Sequence, residues 1–226
     1  MKIKFDEDCI TIGDFDSAPV CLIWLHGYGA NNWDFEPVMK MVHLKLDEKI
    51  FIVIPNAPND GEKRSWYPLP YKNKEGVLEE DCAGLLDSLS PIRELFHSLI
   101  FGSLELKNDK AFLIGGFSQG AALALTAMCD PDTVVDGCIS LSGYMPCPHI
   151  LLEHAEPDGE KLLIGHGEKD SVIDISAHRK ALEFLRTLNI DVEEVVGSFG
   201  HTVPNEIIDK IIDWILKNYL KKPVDP

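Results

Sequence analysis

The sequence predicts an α/β fold with a mostly parallel central sheet and helices on both faces. Two continuous apolar runs, at residues 20–25 and 50–54, are typical of strands buried on both sides of such a sheet. Further strands are predicted at residues 111–115, 134–141, 161–165 and 191–196. Helical patterns occur at residues 33–46, 77–101, 119–129, 174–188 and 204–220. Because strands and helices alternate along the chain, parallel strands joined by crossover helices are expected.

The 226 residues predict a single domain over residues 1–226, since no repeat, low-complexity segment or linker interrupts them. Residues 2–13 predict two short strands about an acidic turn. Residues 55–76 contain four prolines and no periodic pattern. They predict a long irregular loop, and such loops are often functional. Ser90 followed by Pro91 predicts a helix that restarts with Ser90 as its N-cap residue.

The charge balance argues against binding to nucleic acid. Lys and Arg number 21 and Asp and Glu number 37, so the net charge is −16. A chain this acidic repels phosphate backbones and anionic membrane surfaces unless it carries a local basic patch. No dense basic cluster occurs in the sequence, and the charge is expected to serve solubility.

Cysteine usage and hydropathy predict a cytoplasmic protein without integral membrane association. The six cysteines form no C-x-x-C pair and no metal-ligand spacing. Several, such as Cys21 and Cys138, fall in predicted buried strands, so free thiols in a reducing compartment are expected rather than a disulfide framework. The first residues lack the apolar stretch of a signal peptide, and nowhere do 18 apolar residues run together.

The motif that carries chemistry lies in residues 112–120, which read FLIGGFSQG. An apolar predicted strand runs into a G-x-S-x-G turn centred on Ser118, and an alanine-rich helical segment follows. This context is that of a nucleophile elbow, in which a sharp strand-to-helix turn exposes the serine oxygen above the sheet. Glycines two residues before and after the serine allow the backbones to pack closely. Ser118 is therefore a candidate nucleophile.

A serine nucleophile needs a base and an orienting carboxylate, and in an elbow of this type both follow it along the chain. His201 lies in a glycine-flanked loop after the predicted strand at residues 191–196, which makes it the candidate base. Asp170 follows the strand at residues 161–165 and is the leading acid. Glu168 and Asp174 are the alternatives, although Asp174 is also typical of a helix cap.

The remaining histidines are expected to be structural or solvated. His166 is interpreted as structural, and His149 and His154 fall in an irregular segment. Three others are predicted to be solvated surface groups in helices: His43, His97 and His178.

The negative oxygen of a tetrahedral intermediate also needs hydrogen-bond donors. One is expected from the backbone N–H of Gln119, the residue after the serine, at a helix N-terminus. The second is expected from the H-G-Y-G turn at residues 26–29, directly after the strand at residues 20–25. Tyr28 is the candidate for that N–H group.

These segments resemble the phospholipase/carboxylesterase family of α/β hydrolases, which includes acyl-protein thioesterases and small bacterial carboxylesterases. The matching segments are IWLHGYGA (23–30), PNAP (55–58), RSWYPL (64–69), GGFSQGAALAL (115–125), LSGYMP (141–146), HGEKDSVI (166–173) and GHTVPNEI (200–207). The resemblance implies an α/β-hydrolase fold and a triad of Ser118, His201 and Asp170, with Tyr28 and Gln119 as backbone donors. Members often form dimers, so a homodimer is a candidate assembly.

Three positions depart from the family pattern. Ala121 stands where a glycine is usual, Asn56 where eukaryotic thioesterases favour histidine, and Asp174 where a proline often follows the acid. These departures concern the substrate and leave the residues of the triad in place.

The expected reaction is two-step acyl transfer from a carboxylic ester or thioester, without metal or organic cofactor. Candidate substrates are small acyl esters or thioesters, acylated proteins and lysophospholipids. A peptidase, a lactone hydrolase or a catalytically silent binding protein on the same fold are the alternatives. The substrate-binding residues are expected on two walls around an acyl group: Arg64, Trp66, Tyr67 and Leu69 on one, and Tyr144 on the other. The alternative for the first wall is a packed loop whose aromatic residues cover the sheet edge.

Overall fold

The computed structural model describes residues 9–106, 110–154 and 159–220. Its strands are β1 (Ile10–Ile12), β2 (Val20–Leu25), β3 (Ile50–Ile54), β4 (Asn59–Asp60), β5 (Lys63–Arg64), β6 (Tyr71–Lys72), β7 (Leu78–Glu79), β8 (Ala111–Phe117), β9 (Gly137–Leu141), β10 (Lys161–Gly167) and β11 (Asp191–Gly197). Its helices are α1 (Asn32–Lys45), α2 (Cys82–Asp87), α3 (Leu89–Leu106), α4 (Gln119–Met128), α5 (Pro148–His154), α6 (Ile175–Leu185) and α7 (Asn205–Ile215), followed by a π-helical turn at Leu216–Leu220.

Seven strands form one sheet in the spatial order β1-β3-β2-β8-β9-β10-β11. The six strands from β3 to β11 in that order are parallel, and only β1 at the edge is antiparallel, paired with β3. The predicted mostly parallel sheet is confirmed. Because parallel strands end on the same side, the segments after β2, β8, β10 and β11 all leave from one edge of the sheet.

Helices cover both faces of the sheet, as predicted. Along β2 the side chains alternate: Cys21, Ile23 and Leu25 pack with α2 to α6, whereas Leu22 and Trp24 pack with α1 and α7. Alternation follows from the two-residue period of a strand, and burial on both faces explains why the sequence reads as a continuous apolar run. The helix after the elbow, α4, is buried along its whole length.

Several boundaries differ from the sequence-based expectations. Residues 148–154, expected to be irregular, form α5, and residues 78–79 of the helix predicted at 77–101 form β7. Residues 55–76 are not wholly irregular, because they hold the β4/β5 hairpin and one strand of the β6/β7 hairpin. The N-cap prediction for Ser90 is wrong: α3 begins at Leu89, so Pro91 lies in its first turn, where a missing N–H breaks no helical hydrogen bond. Of the two strands predicted in residues 2–13, the second is β1, and the first lies outside the described residues. Among the described helices, none is both long enough and apolar enough to cross a membrane.

The expectation of free cysteines is wrong for one pair. A disulfide joins Cys82, the first residue of α2, to Cys147 just before α5, across 65 residues of chain. Cys21, Cys129 and Cys138 are not disulfide-bonded, and burial raises the pKa of Cys21 to about 12. Residues so far apart are brought together only by the folded sheet, which is why their spacing did not indicate a pair.

We expect reduction of this disulfide to lower stability by about 2–4 kcal/mol, because a cross-link over a long loop restricts the unfolded chain. The measurement is a thermal melt of the protein with and without a phosphine reductant. The double variant Cys82→Ser/Cys147→Ser should melt at the reduced midpoint and show no response to reductant. Finding six free thiols in the denatured, unreduced protein would contradict the prediction.

Candidate active site

The turn between β8 and α4 holds Ser118 in a left-handed backbone conformation, with φ at 56°. Residues with a side chain seldom adopt this region, because it costs about 1–3 kcal/mol and persists only where surrounding bonds enforce it. Here the Ser118 N–H donates to the Leu141 carbonyl at 2.9 Å, and its carbonyl accepts from the Ala122 N–H at 3.0 Å. The backbone is therefore fixed from β9 and from α4, and Ser118 is left partly exposed at the sheet edge.

The glycines on either side of the serine are sterically required. A Cβ added to Gly116 would lie 2.5 Å from the carbonyl carbon of Gly120. A Cβ added to Gly120 would overlap the backbone oxygens of Leu25 and His26 at the end of β2. The predicted strand–turn–helix elbow is thus present, and α4 packs directly against the end of β2.

Asp170 and His201 form a hydrogen-bonded pair beside this elbow. The Nδ1 atom of His201 lies 2.7 Å from Oδ2 of Asp170, whose other oxygen accepts the N–H groups of Val172 and Ile173 at 2.9 Å each. Burial alone raises the pKa of the Asp170 carboxyl, but the bonds from His201 and the two N–H groups outweigh it, so the pKa is lowered. Asp170 is therefore ionised at neutral pH.

The two alternative acids are placed elsewhere. The Asp174 side chain caps α6 by accepting the Ser176 N–H at 2.9 Å, as its helix-cap pattern predicts. Glu168 is exposed at the turn after β10. Of the three carboxylates considered, the structure brings Asp170 to His201.

The imidazole of His201 packs against the ring of Phe117, the residue before Ser118, with the ring centroids 4.6 Å apart. Because Nδ1 faces a carboxylate, it carries the ring's hydrogen and Nε2 keeps a lone pair in the neutral form. Among the described residues, no hydrogen bond joins the Ser118 hydroxyl to this ring. Such a bond often tightens only in the substrate complex.

The H-G-Y-G turn after β2 lies against the serine. A Cβ added to Gly27 would make an ordinary contact of 3.4 Å with the Ser118 Cβ. Gly29 has φ at 73° and donates its N–H to the Arg64 carbonyl at 2.8 Å. Tyr28 is 37% exposed between these glycines. The two segments predicted to supply oxyanion donors therefore meet at Ser118.

Residues 12–219 match the sequence model of the family described as Phospholipase/Carboxylesterase. The chain belongs to this family. It is therefore an enzyme of the carboxylesterase and thioesterase class. It is 30% identical over 211 residues to acyl-protein thioesterase 1 homolog 1 of Dictyostelium discoideum, covering 88% of this chain and 91% of the relative.

Two further relatives agree with this placement. Acyl-protein thioesterase 1 of Candida albicans is 27% identical over 228 residues, covering 91% of this chain and 94% of the relative. The crystal structure of Arabidopsis thaliana SOBER1 superposes with a TM-score of 0.74 at 26% identity, covering 89% of this chain and 99% of that one. The predicted α/β-hydrolase fold is confirmed.

In this member of the phospholipase/carboxylesterase family, His26 supports the H-G-Y-G turn from inside. Its Nδ1 lies 2.8 Å from the Gly27 carbonyl, and its Nε2 accepts the Ala57 N–H at 3.0 Å. A carbonyl can only accept, so the hydrogen is on Nδ1. Burial lowers the pKa of His26, which keeps the ring neutral. The sequence-based reasoning assigned no role to His26, although its place directly before a glycine-rich turn was the available signal.

The two predicted substrate walls touch through their tyrosines. The hydroxyl oxygens of Tyr67 and Tyr144 lie 2.7 Å apart. Burial raises the pKa of both phenols, so both stay protonated at neutral pH. The segment after β5 and the segment after β9 are thereby joined, and Tyr144 lies three residues before the disulfide-bonded Cys147.

The other predicted wall residues differ in exposure. Leu69 is 42% exposed and is available to an apolar group, whereas Trp66 is only 7% exposed. The Arg64 guanidinium donates to the Ala57 carbonyl at 2.8 Å. Within the described residues, no group of three or more His, Cys, Asp or Glu side chains could hold a metal ion.

Proposed function

We propose that this protein is a serine hydrolase that cleaves carboxylic esters or thioesters of acyl groups through an acyl-enzyme intermediate. Ser118 is the nucleophile, His201 the general base and acid, and Asp170 the carboxylate that orients it. The observation that carries the proposal is the 2.7 Å bond between His201 and Asp170 beside a serine held in a left-handed elbow. We propose that residues 1–226 act as a single domain.

In the first step His201 Nε2 takes the hydroxyl proton as Ser118 Oγ attacks the carbonyl carbon. The carbonyl oxygen becomes an oxyanion, which the N–H groups of Tyr28 and Gln119 stabilise. The intermediate collapses, His201 protonates the leaving group, and the acyl group remains on Ser118. Water then repeats the sequence and releases the carboxylic acid.

The electrostatics of the described residues support these roles. A lowered pKa keeps Asp170 ionised, so it stabilises the imidazolium that forms on His201 in each step. The Gln119 N–H lies at the first turn of α4, where the unpaired N–H groups of a helix favour negative charge.

The substrate is an acyl ester or thioester. The relatives carry the names acyl-protein thioesterase and carboxylesterase, which supports both bond types. A thiol has a pKa of about 8.5 and leaves with little acid assistance, so the same residues serve either bond. Exposed Leu69 and the partly exposed Tyr144 supply apolar surface for the acyl group, whereas Tyr67 is only 5% exposed and supports Tyr144 through the bond between their hydroxyls. Acylated proteins and lysophospholipids are the larger substrates of this type. A homodimer and a cytoplasmic location stay predictions.

The test is covalent labelling of the wild-type protein with a fluorophosphonate, followed by peptide mass mapping. We expect a single label on Ser118. Hydrolysis of p-nitrophenyl esters from acetyl to palmitoyl, and of a palmitoylated peptide thioester, then measures chain length and bond type. Heat-denatured protein is the control for non-specific labelling. If the native protein is not labelled and hydrolyses none of these substrates, the remaining interpretation is a catalytically silent binding protein with this fold.

A further inference from the structure

The proposed function needs two N–H groups from separate segments to point at one oxygen. Tyr28 belongs to the turn after β2, and Gln119 begins α4. Donors aimed at an oxyanion must be held within about 0.5 Å of their working positions. What fixes the distance between these two segments therefore matters for the rate, and residues 64–67, here termed the clamp loop, hydrogen-bond to both.

On the elbow side, the clamp loop binds the side chain of Gln119. The Trp66 N–H donates to Gln119 Oε1 at 3.1 Å, and Gln119 Nε2 donates to Ser65 Oγ at 3.0 Å and to the Tyr67 carbonyl at 2.8 Å. Gln119 is buried, so both ends of its amide are satisfied by this one loop. A buried amide with three partners has one orientation, and it fixes the first residue of α4.

On the opposite side, the clamp loop binds one residue before Tyr28 in the turn, His26, and one after it, Gly29. The Gly29 N–H donates to the Arg64 carbonyl at 2.8 Å, and the Trp66 indole N–H donates to the His26 carbonyl at 2.7 Å. The rings of His26 and Trp66 also pack at a centroid distance of 5.0 Å. Tyr28 therefore lies between two attachments to the same loop.

Trp66 reaches both sides, with its backbone N–H on Gln119 and its indole N–H on His26. We infer that Trp66 and the Gln119 side chain are positioning residues that set the separation of the two oxyanion donors. This inference rests on the proposed function. It gives Trp66 a role other than lining an acyl pocket, which its burial disfavours.

The competing explanation is that Trp66 only stabilises the fold, since the backbone contact at Gly120 already holds the elbow against β2. Two quantities separate the explanations: kcat, and the affinity for a trifluoromethyl ketone. The Ser118 hydroxyl adds to the ketone carbon, its proton moves to His201, and the carbonyl electron pair becomes an oxyanion on the two N–H groups. A displaced donor weakens binding of that adduct. A variant that is only less stable, but still folded at the assay temperature, should bind the adduct as tightly as the wild type.

The test is Trp66→Phe, which keeps an aromatic ring and removes the indole N–H. Because loss of a whole oxyanion donor costs about 10²–10³ in kcat, a displaced donor should cost about tenfold. We expect the inhibition constant of the ketone to rise by the same factor, with KM for p-nitrophenyl butyrate unchanged. Trp33→Phe is the matched control, because Trp33 is 66% exposed at the start of α1, and wild-type kinetics are expected.

Ser65→Ala serves if Trp66→Phe does not fold. It removes one acceptor of the Gln119 amide, and we expect a roughly threefold parallel loss in kcat and ketone affinity. A lower melting midpoint with unchanged kcat and ketone affinity in the folded variant would overturn the inference and leave the proposed function intact. If wild-type protein neither hydrolyses the ester nor binds the ketone, the proposed function fails and the inference fails with it.

Discussion

Replacing Ser118 with alanine is expected to lower kcat for p-nitrophenyl esters by about 10⁴-fold or more, because the acyl-enzyme can no longer form. The oxyanion donors and the binding surface remain, so a small residual rate above that in water is expected. Alanine meets the same steric cost as serine at φ of 56°, and the fold should be unaffected. The measurement is a steady-state rate together with fluorophosphonate labelling and a thermal melt.

Ser171→Ala is the control for the Ser118 variant, because Ser171 is exposed in the turn that carries Asp170. It should keep both labelling and wild-type kcat. A Ser118→Ala protein that retains activity within tenfold of wild type would show that another group is the nucleophile.

Asp170→Asn is expected to lower kcat by about 10⁴-fold with little change in KM. The amide can donate to His201 Nδ1, which favours the tautomer with its hydrogen on Nε2. In that tautomer Nε2 has no lone pair, so it cannot accept the serine proton. The loss of charge also removes stabilisation of the imidazolium. Steady-state kinetics at neutral pH measure both effects.

Asp174→Asn provides a matched control, because it makes the same chemical change at the other candidate aspartate. Asparagine caps helices about as well as aspartate, so both kcat and the melting midpoint should stay close to wild type. Glu168→Gln should also be neutral, since Glu168 is exposed. A larger loss of kcat at position 174 than at 170 would mean that Asp170 is not the acid.

The elbow could be predicted from the sequence because its requirements are local. A left-handed turn between a parallel strand and a helix needs glycine at positions 116 and 120, where any Cβ would meet backbone. The order of strands then limits where an acid and a base can follow. Asp170 and His201 come from the ends of β10 and β11, at the same sheet edge as the elbow.

Burial of single polar residues could not be predicted in the same way. His178 was expected on the surface, but it is buried on α6 and its Nε2 lies 3.0 Å from Glu194 Oε1 on β11. The expectation for His43 is likewise wrong, since its ring is partly buried and bonds the Ile50 carbonyl at 2.8 Å. In both helices the partner comes from a separate strand, which the helical pattern does not contain.

The segment at residues 64–69, which begins with the clamp loop, shows a related limit. Residues 64–69 combine arginine, serine, aromatic residues and leucine, a composition that suits both a pocket wall and a packed loop. Exposure separates these two uses: Trp66 is 7% exposed and its indole bonds the His26 carbonyl, whereas Leu69 is 42% exposed. That division depends on where His26 and Gln119 lie, and therefore on the pairing of β2 with β8.

Because β11 is the edge strand of the sheet, the segment bearing His201 is held less firmly on its N-terminal side than on its C-terminal side. On its N-terminal side β11 pairs only with β10 among the described strands, whereas on its C-terminal side α7 inserts isoleucines and Trp214 into the core. Strands at a rim detach in local fluctuations that need less free energy than global unfolding. We therefore expect His201, the proposed base, to leave Asp170 while Ser118 and the turn after β2, which are carried on the central strands, stay in place. Loss of activity on heating would then precede loss of the fold.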